Sequence, residues 1–334
     1  MNKVIYLMTA MLLAAGIQAQ DNNKVLTTDE EKKIVDALSA KEGEAKDTAW
    51  TTGGTTGLNL SQVYLENWAA GGESSVSVTG MINLFANYTK GNSSWDNTLD
   101  LAYGMLWQGD RAGVKTDDKI DFSSKYGQKA SKDWYYSGLV NFRSQFAPGY
   151  SNPFAPVAEQ VRISDIFAPA YGLIAIGMDY KPSPKFTAFI SPITMKITIV
   201  GDQVLADAGA FGVEKATFDA GGNLLTAGEN IRTELGGYIK VMYKTEVMEN
   251  VGLQTKIDLF SNYQNNPQNI DVNWETIITM KINKFLSTTI TTQVLYDDDV
   301  DIARDPEYVA AHGITAGPIT QFKEVLAIGM SYKF

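Results

Sequence analysis

A single histidine is the residue of this chain best suited to acid–base chemistry. His312 is the one histidine among 334 residues. A catalytic base needs a nucleophile within reach and a third group that orients it, and a hydrolase of the phospholipase or deacylase type would use such a set. No Gly-x-Ser-x-Gly nucleophile elbow occurs in the sequence. We therefore interpret His312 as an incidental loop residue and predict that the chain is not an enzyme.

Carboxylates cluster along the chain near this histidine. Clustered oxygen ligands can hold Ca²⁺, but the glycine and the closing glutamate of an EF-hand pattern are missing. We interpret the cluster as a solvated acidic surface loop and predict no metal and no other cofactor. The chain has no cysteine, which excludes disulfides and cysteine-ligated metals. The acidic residues are Asp297, Asp298, Asp299, Asp301, Asp305 and Glu307.

The remaining candidates are charged residues that alternate with apolar ones along extended stretches. On the face opposite the apolar side chains they would point into a common interior. There they either line a pore and select solutes, or they pair across the interior and close it, because buried charges persist only when paired. Both signs are well represented, which favours pairing, and a narrow solute channel is the alternative. These candidates are Asp100, Arg143, Lys240, Lys256, Asp258, Glu275, Lys281 and Lys323, with Lys119, Asp121 and Lys125 beside them.

The elements that position these charges are β-strands, because successive side chains of a strand point to opposite faces. The clearest stretch has Trp95, Leu101, Tyr103 and Trp107 on one face and polar or small residues such as Asp100 on the other. At about 3.3 Å per residue and a tilt of about 40°, the two tryptophans are separated by roughly 30 Å along a membrane normal. That spacing fits two aromatic girdles at the edges of a bilayer.

This alternation recurs about twelve times and predicts an antiparallel transmembrane β-barrel. The turns after the even-numbered strands are short. Those after strands one, three, five, seven and eleven are longer, and the loop at 264–269 is an exception; such asymmetry is typical of outer-membrane barrels. Pro192 lacks an N–H group for the strand ladder, so we predict a bulge or break there. The predicted strands are 55–65, 75–89, 95–107, 119–126, 134–146, 171–180, 185–199, 234–245, 251–263, 272–282, 286–296 and 322–334.

The last predicted strand carries the pattern that closes such barrels. From Leu326 to Phe334 the even positions are apolar and the odd positions are small or polar. Gly329, Tyr332 and Phe334 have the spacing found at the end of outer-membrane barrels. We therefore expect lipid of the outer membrane and the barrel-assembly machinery to be partners of this strand.

The first residues predict export. Residues 1–19 combine Lys3, an apolar run and small residues around Ala19, which is the pattern of a cleaved signal peptide. Residues 20–49 are polar and predict a periplasmic segment with a short helix at 29–40, and residues 50–334 form the barrel. The formal net charge of −10 argues against nucleic acid as a partner.

The run Lys115 to Gly127, followed by Trp134 to Ser137 and by Gln145-Phe146, resembles a Bacteroidetes family of uncharacterised outer-membrane β-barrel proteins, a domain of unknown function. The resemblance extends over residues 50–334 and implies a Gram-negative outer membrane. The family has no assigned catalytic or binding residues, so the resemblance implies location and fold alone.

Together these patterns predict an all-β, non-enzymatic outer-membrane barrel that is structural or a narrow solute channel. Two alternatives remain open. One is an outer-membrane hydrolase, of the phospholipase or lipid A deacylase type, that uses His312. The other is an adaptor that binds a partner complex through its outer loops or its N-terminal helix.

Overall fold

Long strands make up most of the computed structural model. The structure describes residues 49–66, 73–283, 286–304 and 306–334. The predicted signal peptide and N-terminal helix lie outside these residues. Among the described residues, no helix is long and apolar enough to cross a membrane.

Twelve antiparallel strands close into one barrel, in which each strand pairs with its neighbours in the chain and β1 pairs with β12. This confirms the predicted fold. The first six strands are β1 (Trp50–Val63), β2 (Ser75–Lys90), β3 (Ser93–Gln108), β4 (Val114–Lys129), β5 (Trp134–Ser144) and β6 (Ala170–Ser183). The other six are β7 (Phe186–Ile199), β8 (Ile231–Met248), β9 (Val251–Asn262), β10 (Asp271–Lys281), β11 (Leu286–Tyr296) and β12 (Gln321–Lys333).

Several strands extend farther than the sequence predicts, and the largest differences are at the beginnings of β1 and β4. β1 begins at Trp50 rather than at residue 55. Glycine weakens a strand by propensity, but Gly53 and Gly54 are held in this strand by pairing with Phe85 and Leu84 of β2. β4 begins at Val114 rather than at 119. Its first residues are polar and do not alternate, yet they pair with β3 across a register shift next to Gly104.

The exterior of the barrel is apolar. On β12 the even positions from Leu326 to Tyr332 are half to two-thirds exposed, and on β2 the outward Ile82 and Leu84 are exposed as well. Aromatic side chains form a row across four strands, since Trp50, Tyr88, Trp95 and Tyr126 lie directly opposite one another. This row lies near the rim at which β1 begins, which we call the turn rim.

Short turns join the strands at the turn rim, and the opposite rim, the loop rim, carries the longer connections. Gly91 and Asn250 adopt positive φ in two of the turns, as tight hairpin turns require. At the loop rim, α1 (Gln203–Asp207) packs with the neighbouring loops in an apolar cluster. Hydrogen bonds donated by Gln203 and by the N–H of Gly228 lower the pKa of the Asp207 carboxyl and fix this loop. A second helix, α2 (Pro306–His312), lies in the connection between β11 and β12.

The predicted irregularity at Pro192 is a β-bulge. Register shifts with both neighbouring strands meet here, so that the strand continues with one extra residue. The Ser191 hydroxyl lies 2.8 Å from the carbonyl oxygens of Ile176 and Ile193 and accepts a hydrogen bond from Thr194. The bulge reverses the facing of β7, because Phe189 and Ser191 are buried before it and Thr194 and Thr198 after it.

The alternation of β2 makes a testable prediction about its two faces. Ile82 is outward at mid-strand, and Asn83 is the adjacent inward residue, whose amide donates a hydrogen bond to Asp100. In a bilayer we expect Ile82→Arg to lower the free energy of unfolding by about 2–4 kcal/mol. The control Asn83→Arg places its charge beside a carboxylate and should cost much less. Urea unfolding in lipid vesicles measures the free energy of unfolding of both variants. Equal losses would contradict the assignment of Ile82 to the outer face and of Asn83 to the inner face.

Candidate functional site

An arginine joins two distant strands at the centre of the barrel interior. Arg143 of β5 lies 3.0 Å from Asp258 of β9 through Nη2, and 3.5 Å from Asp121 of β4 through Nε. Both carboxylates are buried. Three strands separate β5 from β9 in the wall, so the Arg143–Asp258 contact spans the interior.

Neighbouring side chains complete the hydrogen bonding of these two carboxylates. The Asn141 amide donates to Asp121 at 2.7 Å, and the Tyr238 hydroxyl donates to Asp258 at 2.5 Å. The Lys240 ammonium lies 3.9 Å from Asp258. The arrangement satisfies the rule that buried charges are paired and hydrogen-bonded.

A lysine and a glutamate from opposite walls also meet in the interior. Lys119 of β4 lies 3.3 Å from Glu275 of β10. These strands are six apart in the ring of twelve, so the pair spans the widest distance that the barrel offers. Lys256 of β9 lies 3.4 Å from the other oxygen of Glu275.

A second group of charges lies toward the turn rim. Lys125 of β4 contacts Asp179 of β6 at 2.6 Å, and Lys181 lies 2.8 Å from Asp96 of β3 and 3.3 Å from Asp179. The Asp179 side chain is fully buried. Two cations therefore compensate a carboxylate that is shielded from solvent.

A third group lies toward the loop rim. Lys196 of β7 contacts Asp271 of β10 at 2.7 Å and Asp297 of the last loop at 3.1 Å. Arg232 of β8 contacts Asp299 of the same loop at 3.0 Å. Ion pairs therefore lie in the interior at three levels; those of the middle level join distant walls, and those of the third level hold the last loop to the barrel wall.

The sequence predicts a solvated acidic surface loop, but in the structure three of its carboxylates have partners. Asp297 and Asp299 contact cations of the barrel wall, and Asp298 accepts a hydrogen bond from Asn269 at 2.5 Å. Their ligand atoms point to different partners. Among the described residues, no group of three or more acidic or histidine side chains is arranged to hold a metal ion.

One half of the interior is filled by large side chains. Leu139, Ala175, Phe189, Tyr238 and Phe260 come from the five consecutive strands β5 to β9 and form a buried apolar cluster. The inward positions of β1, β2, β11 and β12 carry mostly small or uncharged residues. These include Gly57, Ser61, Ser77, Thr79, Thr289, Thr291 and Ala327.

The structure brings some of the predicted interior charges together and leaves others apart. Arg143, Asp258 and Lys240 form one group, and Lys256 joins Glu275. Lys323 instead contacts Asp117 of β4 at 2.8 Å. Asp100 accepts its hydrogen bond from Asn83 on the neighbouring strand, and Lys281 is exposed at the end of β10.

Several charges of the network were missed by sequence reasoning. Before the bulge at Pro192 the odd-numbered residues of β7 face the interior, and after it the even-numbered residues do. Strict alternation from the start of the strand therefore places Lys196 on the outer face, whereas the structure places it in the interior. Asp179 and Glu234 lie at the ends of predicted strands, where alternation is a weak signal. A register that included the bulge would have placed Lys196 correctly.

His312 lies away from this network, at the end of α2. Its ring stacks on Tyr308 with centroids 4.3 Å apart, and Nδ1 lies 3.1 Å from the carbonyl oxygen of Tyr308. The side chain is exposed. These contacts are those of a helix-terminal residue rather than of a base held by an orienting carboxylate.

A family model described as "Protein of unknown function (DUF3078)" matches residues 60–150, and no curated protein matches the chain. The translocator domain of the autotransporter NalP from Neisseria meningitidis is 11% identical, with a TM-score of 0.34, over 92% of this chain and 95% of that one. The NanC porin is 9% identical, with a TM-score of 0.35, over 84% and 100%. An outer membrane channel from Pseudomonas putida F1 is 10% identical, with a TM-score of 0.36, over 86% and 96%. The strand pairing, and not these similarities, defines the fold.

The position of Arg143 between two buried carboxylates predicts a large loss of stability when its charge is removed. Because Asp121 and Asp258 would then be undercompensated, we expect Arg143→Gln to lower the free energy of unfolding by about 3 kcal/mol. The control Lys281→Gln removes the same charge from an exposed strand end and should have little effect. Thermal and urea unfolding in one detergent measures both. Equally small effects would show that Arg143 lies in water.

Proposed function

We propose that this chain is an integral, non-enzymatic β-barrel protein of a Gram-negative outer membrane, whose interior is closed to free diffusion by paired charges. The observation that carries this proposal is the contact between Lys119 and Glu275, which joins opposite walls at 3.3 Å. An open pore would leave these side chains in water on separate walls.

The outer surface supports the membrane location. Ile176, Ile193 and Leu326 each expose about two-thirds of their surface on outward positions, and contiguous apolar surface of this kind is unfavourable in water. The ring of strands also satisfies most of the backbone hydrogen bonds that hydrocarbon cannot provide. The row of aromatic residues near the turn rim suits one membrane interface.

Two sequence patterns support a route of export and membrane assembly for this barrel. Residues 1–19 have the pattern of an export signal, and Gly329, Tyr332 and Phe334 have the pattern that barrel-assembly machinery recognises. The short turns then face the periplasm and the longer connections face outward. The resemblance to a Bacteroidetes family agrees with this location.

The paired charges favour a closed barrel over the runner-up, a narrow solute channel. Ion pairs occupy the interior at three levels, two of them joining distant walls through Lys119–Glu275 and Lys323–Asp117, and the apolar cluster from β5 to β9 occupies one half of the interior. The contacts of His312 with Tyr308 give no support to a hydrolase. A structural role, or one that does not use the barrel axis, fits these observations best.

Conductance in planar bilayers tests this proposal. We expect the purified protein to insert, as shown by heat-modifiable migration, and to give no steady ohmic current. The quadruple variant Lys119→Ala, Arg143→Ala, Glu275→Ala, Lys323→Ala removes the side chains whose contacts join distant walls. It should conduct if it migrates as a folded barrel, which shows that these side chains block the path.

A steady current through the wild-type protein would instead identify a channel. In that case Arg143→Gln should shift its reversal potential toward cation selectivity. That result would overturn the closed-barrel proposal while leaving the membrane location intact.

A further inference from the structure

The contact between the first and last strands covers only part of their length. β1 and β12 pair from Thr55 with Lys333 to Asn59 with Gly329, and Gly54 and Phe334 exchange two backbone hydrogen bonds of 3.0 Å. β1 continues to Val63, but residues 60–63 have no partners on β12, although both segments are among the described residues. The other edges of both strands are paired along these stretches, β1 with β2 and β12 with β11.

The alternation of the ladder identifies the backbone groups left open. Antiparallel strands alternate between pairs that exchange hydrogen bonds and pairs that do not. Gly54 and Phe334 form a hydrogen-bonded pair. Every second residue of β1 does the same, so Thr56 and Leu58 form the next two hydrogen-bonded pairs with β12. The next would join Leu60 to Ile328 and Gln62 to Leu326, and the N–H and C=O groups of these residues therefore face an open gap on the loop side of the seam.

Side chains at this gap are unusually exposed. Val63 faces the interior yet is 47% exposed, and the inward Ser61 is exposed as well. On β12 the inward Lys323 side chain is also 47% exposed. Inward residues of the fully paired strands β5 to β7, such as Leu139 and Ala175, are buried. Inward side chains on both edges of the gap are therefore more accessible than those of the fully paired wall.

The edges of the gap are uncharged and mostly apolar. Residues 60–63 are Leu, Ser, Gln and Val, and residues 325–328 are Val, Leu, Ala and Ile. Behind them the interior is lined by small side chains, including those of Ser77 and Thr291. At the loop rim, Lys323 reaches across the interior to Asp117. An ion pair thus crosses the path along the barrel axis. Beside it, the gap in the wall has apolar edges.

We propose that the loop-side half of the β1–β12 seam is a lateral opening, which admits a long acyl chain of an amphiphile from the membrane into the barrel interior. This rests on the membrane location proposed above. Unpaired backbone N–H groups must find hydrogen-bond acceptors, and the ester or carboxyl oxygens of an amphiphile can accept these hydrogen bonds at the membrane interface. The slender acyl chain then lies between Leu60 and Ile328 and reaches the half of the interior lined by small side chains.

Paired cysteines test whether the gap exists. Gly57→Cys with Ser331→Cys introduces an inward, directly opposite pair in the closed half of the seam, where a Cβ on Gly57 meets no atom closer than 3.5 Å. Ser61→Cys with Ala327→Cys is the matched pair in the open half, in the register that the ladder would have if it continued. The chain has no other cysteine. We expect the first pair to form its disulfide readily and the second pair to do so at least about tenfold more slowly, because cysteines with distant Cα atoms are not bridged without backbone movement.

Fluorescence quenching tests whether acyl chains enter. A bimane label is attached to Ala327→Cys, to the inward control Ser331→Cys, or to the outward reference Leu326→Cys. Each protein is placed in vesicles of phosphatidylcholine with brominated acyl chains, or in unbrominated vesicles that receive brominated fatty acid. We expect quenching of the label at 327 to approach that at 326 and to exceed that at 331 severalfold. Comparison of the two vesicle types distinguishes a bilayer lipid from a free fatty acid.

Each outcome decides between the alternatives. Equal rates for the two disulfides would show that the seam is closed, and an unquenched label at 327 would show that no acyl chain enters; either result overturns the lateral opening. If the outward label at 326 is also unquenched, the protein is not in the bilayer, and the proposed membrane location fails first.

Discussion

The barrel interior depends on charges that must find partners far from their own strand. A carboxylate such as Asp258, taken out of water, is tolerated only with a cation and hydrogen-bond donors around it. Here Arg143 comes from across the barrel, and Tyr238 and Lys240 come from the neighbouring strand. Because such contacts join walls that are distant along the ring, they fix the cross-section of the barrel as well as filling it. A wall that moved outward would separate these pairs and leave their charges undercompensated.

The interior is consequently uneven, and its two halves have different physical characters. The strands β5 to β9 contribute large apolar side chains and several of the buried charges. The strands on either side of the β1–β12 seam contribute small residues, and there the ladder itself is incomplete. Tight packing and full pairing thus occur together on one side, and loose packing and an open edge occur together on the other. The proposals of a closed axis and of a lateral opening both rest on this unevenness.

Much of this fold was predictable because lipid and interior impose a strict alternation on each strand. β12 shows it most clearly, with an apolar side chain at each even position from Leu326 to Tyr332. The partners of the interior charges were not predictable, since Lys119 and Glu275 lie on strands that are far apart in the chain and meet only when the ring closes. The inward position of Lys196 was not predictable for a local reason. The bulge at Pro192 adds one residue to the strand, and this changes the face of each residue after it. The open half of the seam has no signal in the sequence, since residues 60–63 and 325–328 read as ordinary strand.

The central claim, that opposite walls of the barrel touch, is tested most directly by a double-mutant cycle on Lys119 and Glu275. Lys119→Met, Glu275→Gln and the double variant are unfolded with urea in the same vesicles as the wild-type protein. The cycle isolates the pair from the separate contact of Glu275 with Lys256. A coupling free energy on the order of 1 kcal/mol is expected for two partly buried charges in contact. A coupling of zero would mean that water separates the walls, and it would contradict the account of a barrel closed by its own paired charges.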